Sequence, residues 1–168
     1  MMSKEMKNNV AYVVQEMNRI VEQCPGKKSL QKMIYLIQAE GVDLNYEYGI
    51  HFYGPYCAAV DTETLRLSAD NVIRFDYSNG YTHQMSINPE YQVAPTLEKA
   101  EKEKLLKTIE KYKEKSPSAL ELLTTTHYVY QNIDDKSRES VVGGVQKIKG
   151  AKYSVDAILK AQQELGLN

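Results

Sequence analysis

Apolar residues near the start of the chain recur at intervals of three and four. Val10, Val13, Val14, Met17, Ile20 and Val21 form one such stripe. It predicts an amphipathic helix from Asn9 to the breaker cluster Cys24-Pro25-Gly26. The polar residues from Met1 to Lys7 carry no pattern and are expected to be frayed. A second stripe, Leu30, Met33, Ile34 and Ile37, predicts a helix opened by Ser29 as N-cap and closed by Gly41 in the left-handed region. Lys28, Gln31 and Lys32 fall off that stripe and are expected to point away from the core.

The period then changes to two. Tyr46, Tyr48, Ile50 and Phe52 alternate with Glu47, Gly49, His51 and Tyr53, which predicts a half-buried strand stopped by Gly54-Pro55. A short helix is expected from about Cys57 to Ala69, with Val60, Leu65 and Leu67 toward the core. A hairpin follows, with arms Val72 to Tyr77 and Tyr81 to Ile87. A two-residue Asn79-Gly80 turn would oppose Phe75 to Gln84 and Ile73 to Ser86. A three-residue Ser78-Asn79-Gly80 loop pairs Tyr77 with Tyr81, Phe75 with His83 and Ile73 with Met85. Only the second makes one face consistently apolar or aromatic, so it is the expected register, with Gly80 in a bulge. Asn88 to Pro95, with two prolines, reads as a connector.

The second half of the chain is helical throughout. Thr96 is placed to cap a helix with Leu97, Ala100, Leu105, Ile109 and Tyr112 on or near one face and Lys and Glu on the others. Ser116-Pro117 is a capping serine followed by proline at the first helical position, and Leu120, Leu123, His127 and Tyr130 follow on one face. Val141, Val142, Val145 and Ile148 make another stripe, weakened by Gly143-Gly144 and ended by Gly150. Ser154 caps a last helix, with Val155, Ile158, Leu159 and Leu165 inside and Gly166 at its end. The order helix, helix, strand, short helix and hairpin resembles a winged helix. The expected class is α+β, mostly α, in one domain over residues 1–168, with a winged-helix-like part over 9–92 and a helical part over 95–166.

Composition narrows the function. Lysine plus arginine number 21 against 22 aspartate plus glutamate, so the chain lacks the basic excess of a dedicated nucleic-acid binder. No long apolar run suggests a signal peptide or a membrane span. Cys24 and Cys57 lack metal-ligand spacing and are expected to be reduced thiols in a cytoplasmic protein. Cys57 is expected to be buried as a small apolar residue. The aromatics are skewed to 13 Tyr, with 2 Phe and no Trp. Tyrosine, with an apolar body and a polar tip, suits half-buried surfaces and contact sites.

Catalytic chemistry has no legible signature. There is no nucleophile elbow, Walker loop or dinucleotide fingerprint, and Gly143-Gly144 lacks the context of a phosphate loop. His127 lies on an apolar stripe and reads as a hydrogen-bonded core histidine. His51 and His83, with Asp61 or Glu63, match no metal spacing. No catalytic residue, metal or cofactor is therefore assigned. Lys27, Lys28 and Lys32 read either as a solvated helix face or as contacts to a phosphate or an acidic partner. Tyr53-Gly54-Pro55-Tyr56 reads as a rigid corner whose tyrosines plug the core edge, meet a partner, or do both.

The motif Lys28-x-Leu30-Gln31-Lys32-Met33-x-Tyr35, followed by Tyr53-Gly54-Pro55-Tyr56, resembles the Panacea-domain family and looks most like its YwgA-like branch. Leu67 to Ile73, the segment Glu121-Leu122-Leu123-Thr124-Thr125-Thr126-His127 and the last helix also fit that branch. The resemblance thus covers Val10 to Leu165. The chain departs from other members in lacking their acidic-Pro-Trp segment. The resemblance implies a protein that acts by binding protein, since the family includes SocA-like antitoxins that neutralise unrelated toxins, phage-linked proteins and a protease adaptor.

The expectation is a cytoplasmic, non-enzymatic regulatory module, antitoxin- or adaptor-like, whose partner is a protein such as a toxin or a protease substrate. Its expected contact residues are Lys28, Lys32, Tyr35, Tyr46, Tyr48, Tyr53, Gly54, Pro55 and Tyr56. The alternative is a winged-helix DNA-binding transcriptional regulator. It is disfavoured because its recognition helix would set Asp61, Glu63 and Asp70 against Arg66 alone, with Arg74 on the wing.

Overall fold

The computed structural model describes residues 4–21, 23–78 and 83–167. Within them the chain is α+β and mostly α. The order is β1 (Lys4–Lys7), α1 (Asn9–Ile20), α2 (Lys27–Ala39), β2 (Gly49–His51), β3 (Gly54–Tyr56), α3 (Ala58–Ala69), β4 (Ile73–Asp76), β5 (Gln84–Ile87), β6 (Tyr91–Ala94), α4 (Lys99–Tyr112), α5 (Pro117–Asn132), α6 (Arg138–Lys149) and α7 (Val155–Glu164).

The pair α2 and α5 forms the centre. Every residue of α2 from Leu30 to Ile37 is buried, because α1, α3, α4, α5 and β3 all pack against it. Helix α5 in turn meets β3, α6 and α7. One apolar cluster runs from Val10 and Val13 of α1 through Met33, Ile34 and Ile37 to Leu105, Ile109, Leu120 and Leu123. A smaller one, Val129, Val141, Val145 and Ile158, joins α5, α6 and α7. All-round burial overturns the expectation that Gln31 and Lys32 point away from the core.

The strands depart furthest from the expected pattern. Lys4–Lys7 is not frayed: it pairs in parallel with Tyr91–Ala94, inside the expected connector, with Met6 opposite Val93. The Gln15 side chain holds this edge from α1, accepting from Val93 N–H at 3.1 Å and donating to Val93 C=O at 3.0 Å. The Tyr-rich strand shrinks to Gly49–His51. Before it, Asn45 takes a positive φ of 65°, and Gln38 bonds the backbone of Leu44 and Tyr46. That stretch runs along α2 instead of pairing. Gly54–Tyr56 does not stop a strand but is the returning one, joined through a two-residue turn at Phe52 and Tyr53.

The second hairpin pairs Ile73 with Ile87 and Phe75 with Met85. This lies two residues from the expected register. A shift of two keeps the same face inward, and it matches apolar with apolar at both positions. The expected bulge at Gly80 and the pairing of Tyr77 with Tyr81 fall outside the described residues.

Helix ends follow local chemistry. Asn8, Ser116, Ser137 and Ser154 cap α1, α5, α6 and α7 through their side chains. Two expected caps move. Gly26, not Ser29, precedes α2. Glu98 and Glu101 form a capping box at α4, because Thr96 is engaged by the Asn9 amide. On α3, Val60, Thr64 and Leu67 face inward while Leu65 is 56% exposed, and Val155 of α7 is also exposed.

The paired glycines of α6 are not equivalent. A Cβ on Gly144 would lie 2.5 Å from Val129 Cγ1, whereas one on Gly143 meets nothing within 4 Å. Gly143→Ala should therefore stabilise the fold by about 0.5–1 kcal/mol through helix propensity. Gly144→Ala should destabilise it by about 1–3 kcal/mol through overpacking. Urea denaturation of the two variants reads both signs.

Candidate functional site

The β2–β3 hairpin is held from below by lysines. Lys32, in the middle of α2 and 2% exposed, donates from Nζ to Pro55 C=O at 2.6 Å. Lys149, the last residue of α6, donates to Phe52 C=O at 2.9 Å. Lys28, one helical turn before Lys32, lies over the Tyr53 ring at 5.2 Å from its centroid. Gly54 takes φ 90° and sits so close to α5 that an added Cβ would be 2.6 Å from Thr125 Oγ1. The turn is thus fixed at its carbonyls and by contact with a helix.

Lys28 and Lys149 converge, with Lys152, on one carboxylate. Glu121 of α5 is fully buried. Its Oε1 is 2.9 Å from Lys28 Nζ, and its Oε2 is 2.6 Å from Lys152 and 3.2 Å from Lys149. The Tyr153 hydroxyl also donates to Oε2. Burial favours the protonated acid, but the bonds from Lys152, Tyr153 and Lys28 outweigh it and hold the carboxyl at about 2. Burial draws the Lys32 ammonium down to about 8; Glu121 works to raise it, and Lys28 and Lys149 to lower it. Glu121 and Lys32 stay charged at neutral pH, and the cluster holds a turn in place.

A polar and aromatic layer flanks it. The Tyr35 hydroxyl is 2.7 Å from His127 Nδ1, and burial pushes the His127 pKa down, against a smaller upward pull from Glu40. Tyr35 also packs edge-on against Tyr48 at 5.2 Å, and burial raises both phenols. Tyr48 donates to Gln31 C=O, and the Gln31 amide bonds both backbone groups of buried Cys57. Tyr56 donates to Asp61 Oδ2 at 2.7 Å and packs on His51.

The expected contact residues therefore divide. Lys32, Tyr35, Gly54 and Pro55 lie inside, where Lys32 holds the hairpin at Pro55. Lys28, Tyr46, Tyr48 and Tyr56 are half-buried. Tyr53 is 59% exposed at the tip, and beside it Phe52, which period two places inward, is 84% exposed. The two rings meet edge-on at 5.1 Å. Sequence reasoning also passes over Glu121, Lys149, Lys152 and Tyr153. The available signal is Glu121 itself, an acid set among leucines and threonines of which Leu120, Leu123, Thr124, Thr125 and Thr126 are buried.

On α3 the charges are spent internally. Asp61 accepts from Gln31 and Tyr56, Glu63 from Asn8 and Arg66, and Asp70 from Arg66. Arg66 is thus paired with two carboxylates. His51 and His83 stand on separate hairpins, and among the described residues no three His, Cys, Asp or Glu converge. Among the same residues no helix is long and apolar enough to cross a membrane. No protein-family model matches the chain, and no curated protein is similar to it.

Two outcomes follow. Glu121 binds its proton at about 2 in the fold against about 4.5 when free, so acid protonates the unfolded chain first. Its stabilisation is complete above about pH 4.5 and is lost as pH falls toward 2. Glu121→Gln should cost about 3 kcal/mol at pH 7, and the gap to wild type should close by pH 2 in denaturant titrations across pH. Gly54→Ala meets both the positive φ and Thr125 Oγ1, and should cost about 2–4 kcal/mol by the same measurement.

Proposed function

We propose that this protein is a non-enzymatic, regulatory protein-interaction module acting in the cytoplasm, and that the tip of the β2–β3 hairpin is its contact point. One observation carries the reading: Phe52 and Tyr53 are exposed side by side on a turn whose backbone is tied down by Lys32 and Lys149. Leaving two large rings in water gives up roughly 1.5–3 kcal/mol of burial for each. A loop that merely closed a hairpin would not need to be so firmly held. Aromatics displayed on a rigid element are what binding hot spots consist of, because little entropy is lost on contact.

The charge pattern supports protein over nucleic acid as the partner. The one arginine of α3 is already neutralised, and the helix otherwise offers carboxylates to a phosphate backbone. The resemblance of the α2 and Tyr-Gly-Pro motifs to Panacea domains points the same way, toward an antitoxin- or adaptor-like role.

The test is a pull-down from the source cell with wild type and Phe52→Ala/Tyr53→Ala. Both side chains are exposed, so the thermal midpoint should stay within about 2 °C of wild type. At least one co-purifying protein should disappear. An unchanged partner list from a folded double variant would remove the hairpin tip as the contact.

A further inference from the structure

Each of the three two-stranded sheets has one edge closed by the fold itself. On β6, both backbone groups of Val93 bond the Gln15 side chain. On β5, Met85 N–H donates to Pro25 C=O at 2.8 Å, while Asn18 donates to Met85 C=O and accepts from Ile87 N–H. On β3, Pro55 has no N–H to offer, and its C=O takes the Lys32 bond. The edges left open are those of β1, β2 and β4.

An open edge is a template for another strand, and charged side chains guard against that pairing. Guards stand on β1, as Lys4, Glu5 and Lys7, and on β4, as Arg74 and Asp76. Strand β2 has none, since Gly49-Ile50-His51 carries no lysine, arginine, proline or carboxylate. Its register shows which groups face outward. Antiparallel pairs alternate between those that exchange both main-chain bonds and those that exchange none. Ile50 stands opposite Pro55, so Gly49–Tyr56 and His51–Gly54 are the bonded pairs. The N–H and C=O of Ile50 therefore point away from β3. Among the described residues neither has a hydrogen-bond partner. Because β3 packs on α2 and α5, β2 is the outer strand of the hairpin.

We infer that a second copy of this chain covers this edge, β2 against β2 in antiparallel, with Ile50 on the two-fold axis. The segment is self-complementary about that residue. A two-fold contact sets each position against its mirror position in the copy. Ile50 then meets Ile50 and exchanges both main-chain bonds, Gly49 meets His51, and Tyr48 meets Phe52. No Asp, Glu, Lys or Arg lies between Tyr48 and Phe52, so no like charges face each other across the axis. Phe52, 84% exposed in the single chain, gains an aromatic neighbour. A strand of another protein could bond Ile50 equally well, but the matching side chains are already written in β2. The inference goes beyond partner capture and does not rest on it.

Sedimentation equilibrium of the full chain reads the contact. So short an edge makes a small interface, and the dimer should form with a Kd of about 10–100 μM. Ile50→Pro removes the outward N–H and leaves the bonds to β3 in place. It should weaken the dimer about tenfold or more, with the thermal midpoint within about 3 °C of wild type. Ile50→Val keeps the N–H, and Tyr53→Ala lies outside the matched positions, so both should dimerise within about threefold of wild type. Hydrogen exchange in the wild type is independent of how any variant folds. Between about 5 and about 500 μM protein the Ile50 amide should slow about threefold or more, while the Gly49 amide, bonded within the hairpin, should not change.

A chain still monomeric at about 500 μM would overturn the inference and hand the edge to a strand of another protein. A dimer that Ile50→Pro leaves intact in a folded variant, or one that forms without slowing the Ile50 amide, would overturn it as well. If the chain stays monomeric while partner capture still depends on Phe52 and Tyr53, the dimer falls and the hairpin-tip reading stands.

Discussion

The buried carboxylate of Glu121 is the constraint on which the rest of the arrangement depends. An ionised carboxyl without water is costly, and it persists only where cations and hydrogen-bond donors replace the lost hydration. Here the replacements come from far apart in the chain. Lys28 arrives on α2, Lys149 at the end of α6, and Lys152 and Tyr153 on the connection that follows. Satisfying one acid therefore requires α2, α5 and the α6–α7 corner to be in place together. The same lysines reach the hairpin: Lys149 bonds the carbonyl of Phe52, and Lys28 faces the ring of Tyr53. Core electrostatics and surface display are coupled through shared side chains.

Local rules carry much of the helical architecture. The stripe of α1 and the Ser116-Pro117 start of α5 are written in neighbouring residues, and the structure follows them. The same holds for Gly41, Gly150 and Gly166, which all take positive φ at helix ends. Strand pairing is different. Lys4 pairs with Tyr91, and no residue near either advertises the other. Parallel pairing needs a long crossover, so its signal is spread across everything between. The register of the β4–β5 hairpin fails for a subtler reason: alternation fixes which face is inward but is blind to a slip of two.

The candidate site shows where local reading stops. Period two puts Phe52 on the inner face with Tyr46, Tyr48 and Ile50. One two-residue turn reverses the chain before that alternation is complete, and Phe52 emerges into water. Lys32 is the mirror case. Its charge argues for solvent, yet the carbonyl that receives it belongs to Pro55, far along the chain. The Tyr-Gly-Pro-Tyr segment is legible as a tight, rigid feature from composition alone. Which of its rings is held and which is shown depends on partners elsewhere: Asp61 of α3 holds Tyr56, while Lys32 and Lys149 fix the turn that shows Tyr53.

That division of labour bears on how the tip works. A free two-residue turn carrying two aromatics would tend to collapse its rings onto the nearest apolar surface. In this fold the path to the core is already filled: Gly54 is in contact with Thr125, and Pro55 is buried and accepts the Lys32 bond. With the backbone of the turn anchored at Phe52 and Pro55, the rings of Phe52 and Tyr53 have only the outside to occupy. Lys28 then offers the Tyr53 face a cation, which orients the ring without burying it. The exposure of these aromatics is thus imposed by the ion cluster beneath them, and a change at Glu121 should be felt at the surface as well as in the core.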